Sequence, residues 1–159
     1  MEKTNLIGLT EEELAELMKG LGQPSFRAEQ ILNWVYDKQV FNFENMTNLG
    51  AELQQELADN FNLAPLVELK EQKSADGTIK YLFELDDGER IEVVYMPSEN
   101  GRKTLCISTQ VGCAMGCSFC ATGLAGLARD LTAGEIINQV LTVEKIADID
   151  ITNVVIMGM

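Results

Sequence analysis

The sequence predicts a mixed fold, α+β followed by the beginning of an α/β unit. Three patterns carry that expectation. Apolar residues recur at helical spacing through residue 64, alternate in twos between 79 and 95, and then flank a strand–loop–helix–strand arrangement. The corresponding organisation is a helical domain over 1–64, a β meander and linker over 65–100, and the first part of an α/β domain over 101–159.

In the helical part, "LTEEELAELMKGLG" opens with Thr10 and has Glu13 three residues on, the spacing of a capping box. Leu14, Leu17, Met18 and Leu21 make one apolar stripe, and Gly20 or Gly22 can end the helix. "PSFRAEQILNWVYDKQV" follows, with Ser25 as the expected cap and Ala28, Ile31, Leu32 and Val35 on one face. A third helix is expected in "TNLGAELQQELADNF", where Leu49, Leu53 and Leu57 are spaced by fours. Three helices on short connections predict a small bundle, whose remaining face offers Arg27, Trp34 and Lys38 to a partner.

Beyond Pro65 the period becomes two. Ile79, Tyr81, Phe83 and Leu85 alternate with polar or smaller neighbours, as do Ile91, Val93 and Tyr95, and the "ADG" and "DDG" turns separate the runs. A three-stranded antiparallel meander over 66–96 is expected, closed by Pro97 and the loop "SENGR". "TLCIST" then reads as a strand, 110–130 as a glycine- and cysteine-rich loop, and "TAGEIINQVLTVEKIA" as a helix with a capping box at Thr132 and Glu135. The apolar run "TNVVIMGM" predicts a parallel strand buried on both faces. In such βαβ units the loops after the strands' carboxyl ends carry the chemistry. Two parallel strands and one helix leave that sheet uncovered, so the chain reads as the front part of a longer protein.

Composition narrows the function classes. The 159 residues include 12 basic and 25 acidic side chains and no histidine, for a net charge of −13. Phosphate affinity comes from Lys and Arg, so this balance argues against a general nucleic-acid binder. An RNA ligand would need local patches or residues outside this chain, and the acidity alone reads as a solvated surface. No apolar run approaches the roughly 20 residues that cross a bilayer, and the acidic start lacks the layout of a secretory signal. The expectation is a cytoplasmic protein, where clustered cysteines point to metal or redox chemistry rather than structural disulfides.

Three of the four cysteines fall in "GCAMGCSFCATG", residues 112–123, and Cys106 lies seven positions ahead of Cys113. Cys113, Cys117 and Cys120 follow the spacing C-x3-C-x2-C after a strand. Three thiolates on one loop can hold a 4Fe–4S cube and leave one iron without a protein ligand. S-adenosylmethionine can chelate that iron, and one electron from the reduced cluster then cleaves its sulfonium to methionine and a 5′-deoxyadenosyl radical. Gly112, Gly116 and Gly123 allow a close backbone wrap, and Phe119 can screen the cluster. Two other readings stay open on spacing: a structural zinc held by all four cysteines, though zinc usually draws on two separated knuckles, and thiols that bind nothing.

The segments "LCISTQVGCAMGCSFCATG", "LTAGEIINQV" and "NVVIMGM" resemble the radical-SAM RNA methyltransferases of the RlmN/Cfr family. The likeness continues upstream through "RIEVVYMP", "FRAEQILNWVY" and "MTNLG". The resemblance implies a partial (β/α) barrel, here cut after its second strand, behind an accessory helical domain that engages RNA. It implies Cys113, Cys117 and Cys120 as cluster ligands, Glu92 as proton acceptor, and Cys106 as the catalytic cysteine that resolves a protein–RNA adduct through a transient disulfide bond. The resemblance also implies that Gly158 and Met159 begin a segment that contacts S-adenosylmethionine. The implied reaction is methylation of adenine C2 in 23S rRNA and tRNA through a methylcysteine, with a reducing system for the cluster. Methylation at C8 is the family's alternative. The methyl-carrying cysteine would lie beyond Met159, so the chain alone is expected to be inactive. From alternation alone Glu92 is a solvent-facing strand carboxylate, and Cys106 a strand thiol. A non-catalytic RNA-binding piece is the contrasting class.

Overall fold

A computed structural model describes residues 3–156, the side chain of Ala125 excepted; Gly158 and Met159 lie outside the described residues. The chain divides into two compact units, up to Pro65 and from Leu66 onward.

The first unit contains β1 (Thr4–Asn5), α1 (Glu11–Gly20), α2 (Phe26–Leu32), α3 (Ala51–Asn60) and β2 (Phe61–Asn62). Helix α1 starts at the expected capping box: the Thr10 hydroxyl accepts from the Glu13 amide at 3.2 Å, and the Glu13 carboxylate accepts from the Thr10 amide at 2.8 Å. It ends in a Schellman arrangement. The Gln23 amide reaches the Met18 carbonyl and the Gly22 amide the Lys19 carbonyl, with Gly22 at φ 68°. Leu14, Met18, Ile31, Val35, Leu53 and Leu57 form the centre of the core.

Two expectations change here. Ser25 makes no side-chain cap; it already has helical angles, and the Arg27 amide bonds the Pro24 carbonyl, so the turn begins one residue earlier. The second helix also widens into a π turn at Asn33–Asp37. The short parallel pairing of β1 with β2 and a 3-10 turn at Phe43–Asn45 carry no sequence period and were not foreseen.

The second unit is built on one five-stranded sheet. Its strands are β3 (Val67–Lys73), β4 (Ile79–Glu84), β5 (Arg90–Pro97), β6 (Lys103–Ile107) and β9 (Asn153–Ile156), in that spatial order. The first four are antiparallel neighbours, and β6 pairs β9 in parallel. The meander therefore has four strands rather than three, and no unit boundary falls at residue 100. The reason lies in three similar turns. In "SADGT", "LDDGE" and "SENGR" a glycine sits at φ 83–85°, its amide bonding back three residues, while the preceding Asp or Asn accepts from the amide two residues on. The expected closing loop is thus a third hairpin.

Alternation sets the sheet's two faces. Tyr81, Phe83, Ile91, Val93, Leu105 and Ile107 enter the core, packed by Val143 of α5 (Ala133–Ala147). Helix α5 starts at the expected Thr132–Glu135 capping box. Strand β9 departs from expectation: Val154 and Ile156 are 47% and 66% exposed, because among the described residues β9 is an edge strand. No helix among the described residues is long and apolar enough to cross a membrane.

Candidate functional site

The site grows out of the face of the sheet turned away from the core. On β5, Ile91 and Val93 point inward, which turns Glu92 outward beside Val94. Cys106 pairs with Val94 across β5 and β6, so Glu92 and Cys106 share that face as diagonal neighbours; side chains so related are about 7 Å apart at Cβ. Glu92 is half-buried and bonds Lys80 of β4 at 2.8 Å. It borders two depressions. One, of about 210 Å³, is lined by Lys70, Gln72, Lys80 and Leu82. The other is an open cleft of about 730 Å³ whose far wall is formed by Gly112, Thr122 and Gly126.

That far wall belongs to the cysteine loop, which has more structure than its composition foretold. Strands β7 (Gln110–Gly112) and β8 (Leu127–Asp130) form an antiparallel hairpin, and a short helix α4 (Ala121–Ala125) lies between them. The hairpin closes at a contact only glycine permits. Gly112 has φ 76°, and a β-carbon there would lie 1.9 Å from the Gly126 carbonyl oxygen. The Cys113 amide bonds that same carbonyl at 2.9 Å.

Cys113, Cys117 and Cys120 are partly exposed on the loop beyond this closure, and no disulfide joins any of the four cysteines. The Met115 amide approaches the Cys113 sulfur at 3.5 Å. A hydrogen bond from the Gly123 amide, helped by the Thr122 amide and side chain, pulls the Cys120 thiol below its ordinary range against the opposing effect of burial. This donor chemistry fits a thiophilic metal group: three thiols on one short loop, with backbone amides aimed at two of the sulfurs. Among the described residues, however, no group of three or more Cys, Asp or Glu is drawn together as a ready metal centre. Met115, Phe119 and Leu124 stand 78%, 91% and 81% exposed around the cysteines.

Two polar anchors hold the loop, and sequence reasoning missed both. Arg129 on β8 donates to both carboxylate oxygens of Glu135, at 2.7 and 2.9 Å, and to Asp87 of the β4–β5 turn at 2.7 Å. Burial pushes Glu135 upward, but hydrogen bonds from Arg129 and Thr132 and the arginine charge outweigh it, leaving Glu135 below its ordinary value. The second anchor is Gln139, fully buried against Ser108. A faint signal existed for each: Arg129 is one of two basic residues after Thr104, and Gln139 interrupts the apolar stripe of Ile136, Val140 and Val143.

In the first unit, the three residues proposed to face a partner are occupied locally. Arg27 donates to Gln30 and to the Asn48 carbonyl, Trp34 donates to the Asn48 side chain at 2.6 Å, and the Lys38 ammonium lies 3.6 Å from the Trp34 ring centre.

Fold and cysteine loop together relate the chain to radical SAM methyltransferases. A solved radical SAM methyltransferase from Sphaerobacter thermophilus superposes with a TM-score of 0.86 at 43% identity, over 98% of this chain and 47% of that one. Within that class, the chain matches the N-terminal part of the RlmN-type dual-specificity RNA methyltransferases. Residues 4–63 match the family described as the ribosomal RNA large subunit methyltransferase N-terminal domain. The probable dual-specificity RNA methyltransferase RlmN of Staphylococcus carnosus is 47% identical over 99% of this chain. Its counterpart in Syntrophotalea carbinolica is 48% identical over the same share. The chain spans 44% and 42% of those two relatives.

Proposed function

We propose that the chain forms the cluster-holding N-terminal part of an RNA methyltransferase that methylates C2 of adenine in rRNA and tRNA, within the cytoplasm. In this reading residues 1–64 are the accessory domain that engages RNA, 65–100 the meander, and 101–159 the opening of a partial (β/α) barrel. The observation that carries it is one juxtaposition: a C-x3-C-x2-C loop leaves the strand bearing Cys106 and walls a cleft bordered by Glu92.

Cys113, Cys117 and Cys120 would hold a 4Fe–4S cluster. When bound and reduced, that cluster supplies the electron that cleaves S-adenosylmethionine to a carbon radical, a chemistry suited to a ring carbon that is not nucleophilic. Glu92 accepts the proton from adenine C2; a general base must lie within hydrogen-bond reach of that proton. Lys80 keeps the Glu92 carboxylate turned along the sheet face in the absence of RNA. Cys106 attacks as thiolate on the sulfur that carries the RNA adduct, forming a disulfide as the carbon–sulfur bond breaks and the product carbon takes up a proton. Gly158 and Met159 begin the S-adenosylmethionine contact.

Anaerobic reconstitution with iron and sulfide tests the reading. The expected result is a brown protein with cluster absorbance that Cys117→Ala abolishes and Cys106→Ala retains. A colourless protein carrying one zinc per chain would overturn it.

A further inference from the structure

Where β6 ends, the backbone is gripped by a side chain from the helix beneath it. Gln139, with 0% exposure, uses every polar hydrogen it has: its Nε2 donates to the Ser108 carbonyl at 2.9 Å and to the Glu135 carbonyl at 3.1 Å. Its Oε1 accepts from the Ser108 amide at 2.8 Å. The amide thus matches both backbone groups of one residue, an arrangement that neither a carboxylate nor an apolar side chain of the same size reproduces. Buried polar groups so satisfied specify one backbone position, since each is costly to leave unpaired.

Ser108 passes that position on. The β5–β6 pairing ends at Val94–Cys106, and Ser108 follows just beyond the end of β6, close to Glu92 of β5. There the Ser108 hydroxyl donates to the Glu92 main-chain carbonyl at 2.8 Å. Ser108 is itself buried, at 1% exposure. One polar chain therefore runs from the first turn of α5 through Gln139 and Ser108 to the backbone of Glu92. Cys106 lies two residues before its midpoint and Cys113 five after.

We propose that Gln139, acting through Ser108, is the positioning residue that sets the spacing of Glu92 and Cys106 across β5 and β6. The inference rests on the proposed roles of Glu92 and Cys106. It adds the element that keeps the proton acceptor and the thiol that releases the adduct at one spacing on a shared sheet face while the neighbouring cysteine loop binds its ligand.

The spacing can be read directly, with no metal present. The Ser108 hydroxyl bonds a main-chain carbonyl, so Glu92→Cys preserves the contact. In a chain also carrying Cys113→Ser, Cys117→Ser and Cys120→Ser, the thiols at positions 92 and 106 are bridged with a one-carbon bis-methanethiosulfonate and followed by mass spectrometry. Adding Ser108→Ala should slow bridging about fivefold, and Ser108→Thr, which keeps the hydroxyl, should restore the rate to within about twofold. Gln139→Met should slow it at least as much where circular dichroism shows a folded chain; if that variant does not fold, the two Ser108 variants decide. An unchanged rate in Ser108→Ala overturns the inference, as does a slow rate in Ser108→Thr. Iron uptake by the unmodified chain combined with unchanged bridging would overturn this inference while sparing the proposed function.

Discussion

The meander over 67–107 and the cysteine loop that follows it are neighbours held by opposite means. The meander is secured by its own side chains: alternating apolar residues fill the core, and three turns of one type join successive strands. The loop buries little of itself. It displays Met115, Phe119 and Leu124 to solvent and is fastened near its ends, by Gln139 on Ser108, by the Gly112–Gly126 contact, and by Arg129 on Asp87 and Glu135. Hydrophobic burial makes a platform, while directional polar contacts place a segment whose cysteines stay partly exposed.

That contrast can be broken from either side. Phe83 is completely buried, and Phe83→Ala should cost about 4 kcal/mol in urea denaturation, lowering the whole second unit because the loop has no core of its own. Gly112→Ala attacks the loop alone. With a β-carbon 1.9 Å from a carbonyl oxygen and a positive φ, about 3 kcal/mol of loop stability is expected to go. Hydrogen exchange should then show the Cys113 amide unprotected while the amides of Val93 and Phe83 keep their protection.

Arg129→Gln sharpens the comparison by adding pH. Glu135 has its pKa lowered in the folded protein, so its contribution is present above the usual carboxylate range and is lost as pH falls through the folded value. Removing the arginine should cost about 2 kcal/mol at neutral pH. Part of that difference from the parent should shrink below about pH 4, measured as urea midpoints. A difference that stays constant down to pH 2.5 would exclude the ion pair as its source. The smallest effect belongs to Thr132→Ala, which removes one half of a capping box and should cost about 1 kcal/mol by thermal melting, leaving iron uptake intact.

Legibility in the sequence followed the range of the interactions. Both capping boxes, the α1 stripe, the alternation on β4 and β5, and the Asp-Gly turns depend on residues within a few positions of one another, and the structure contains all of them. The third hairpin is hidden in the sequence because an Asn-Gly soon after a proline reads as a closing loop. Ser25 misled because a cap also needs extended backbone, which the turn starting at Pro24 denied it. In the candidate site, the cysteine spacing and the outward face of Glu92 were visible, but the shared face of Glu92 and Cys106 required the β5–β6 register.

The amino-acid order alone determined the main helices, the alternating strands, the two Asp-Gly turns, and that three thiols occupy one loop. Those features follow from backbone sterics, local hydrogen bonds and hydrophobic period. Tertiary structure alone decided that β6 joins the meander to β9, that Gly112 meets Gly126, and that Arg129 and Gln139 hold the loop. Each of these joins groups apart in sequence, brought together by strand pairing or by the docking of α5. Gln139 reads in sequence as an ordinary polar helix residue until the helix docks; only then does its amide find the one backbone position able to satisfy it.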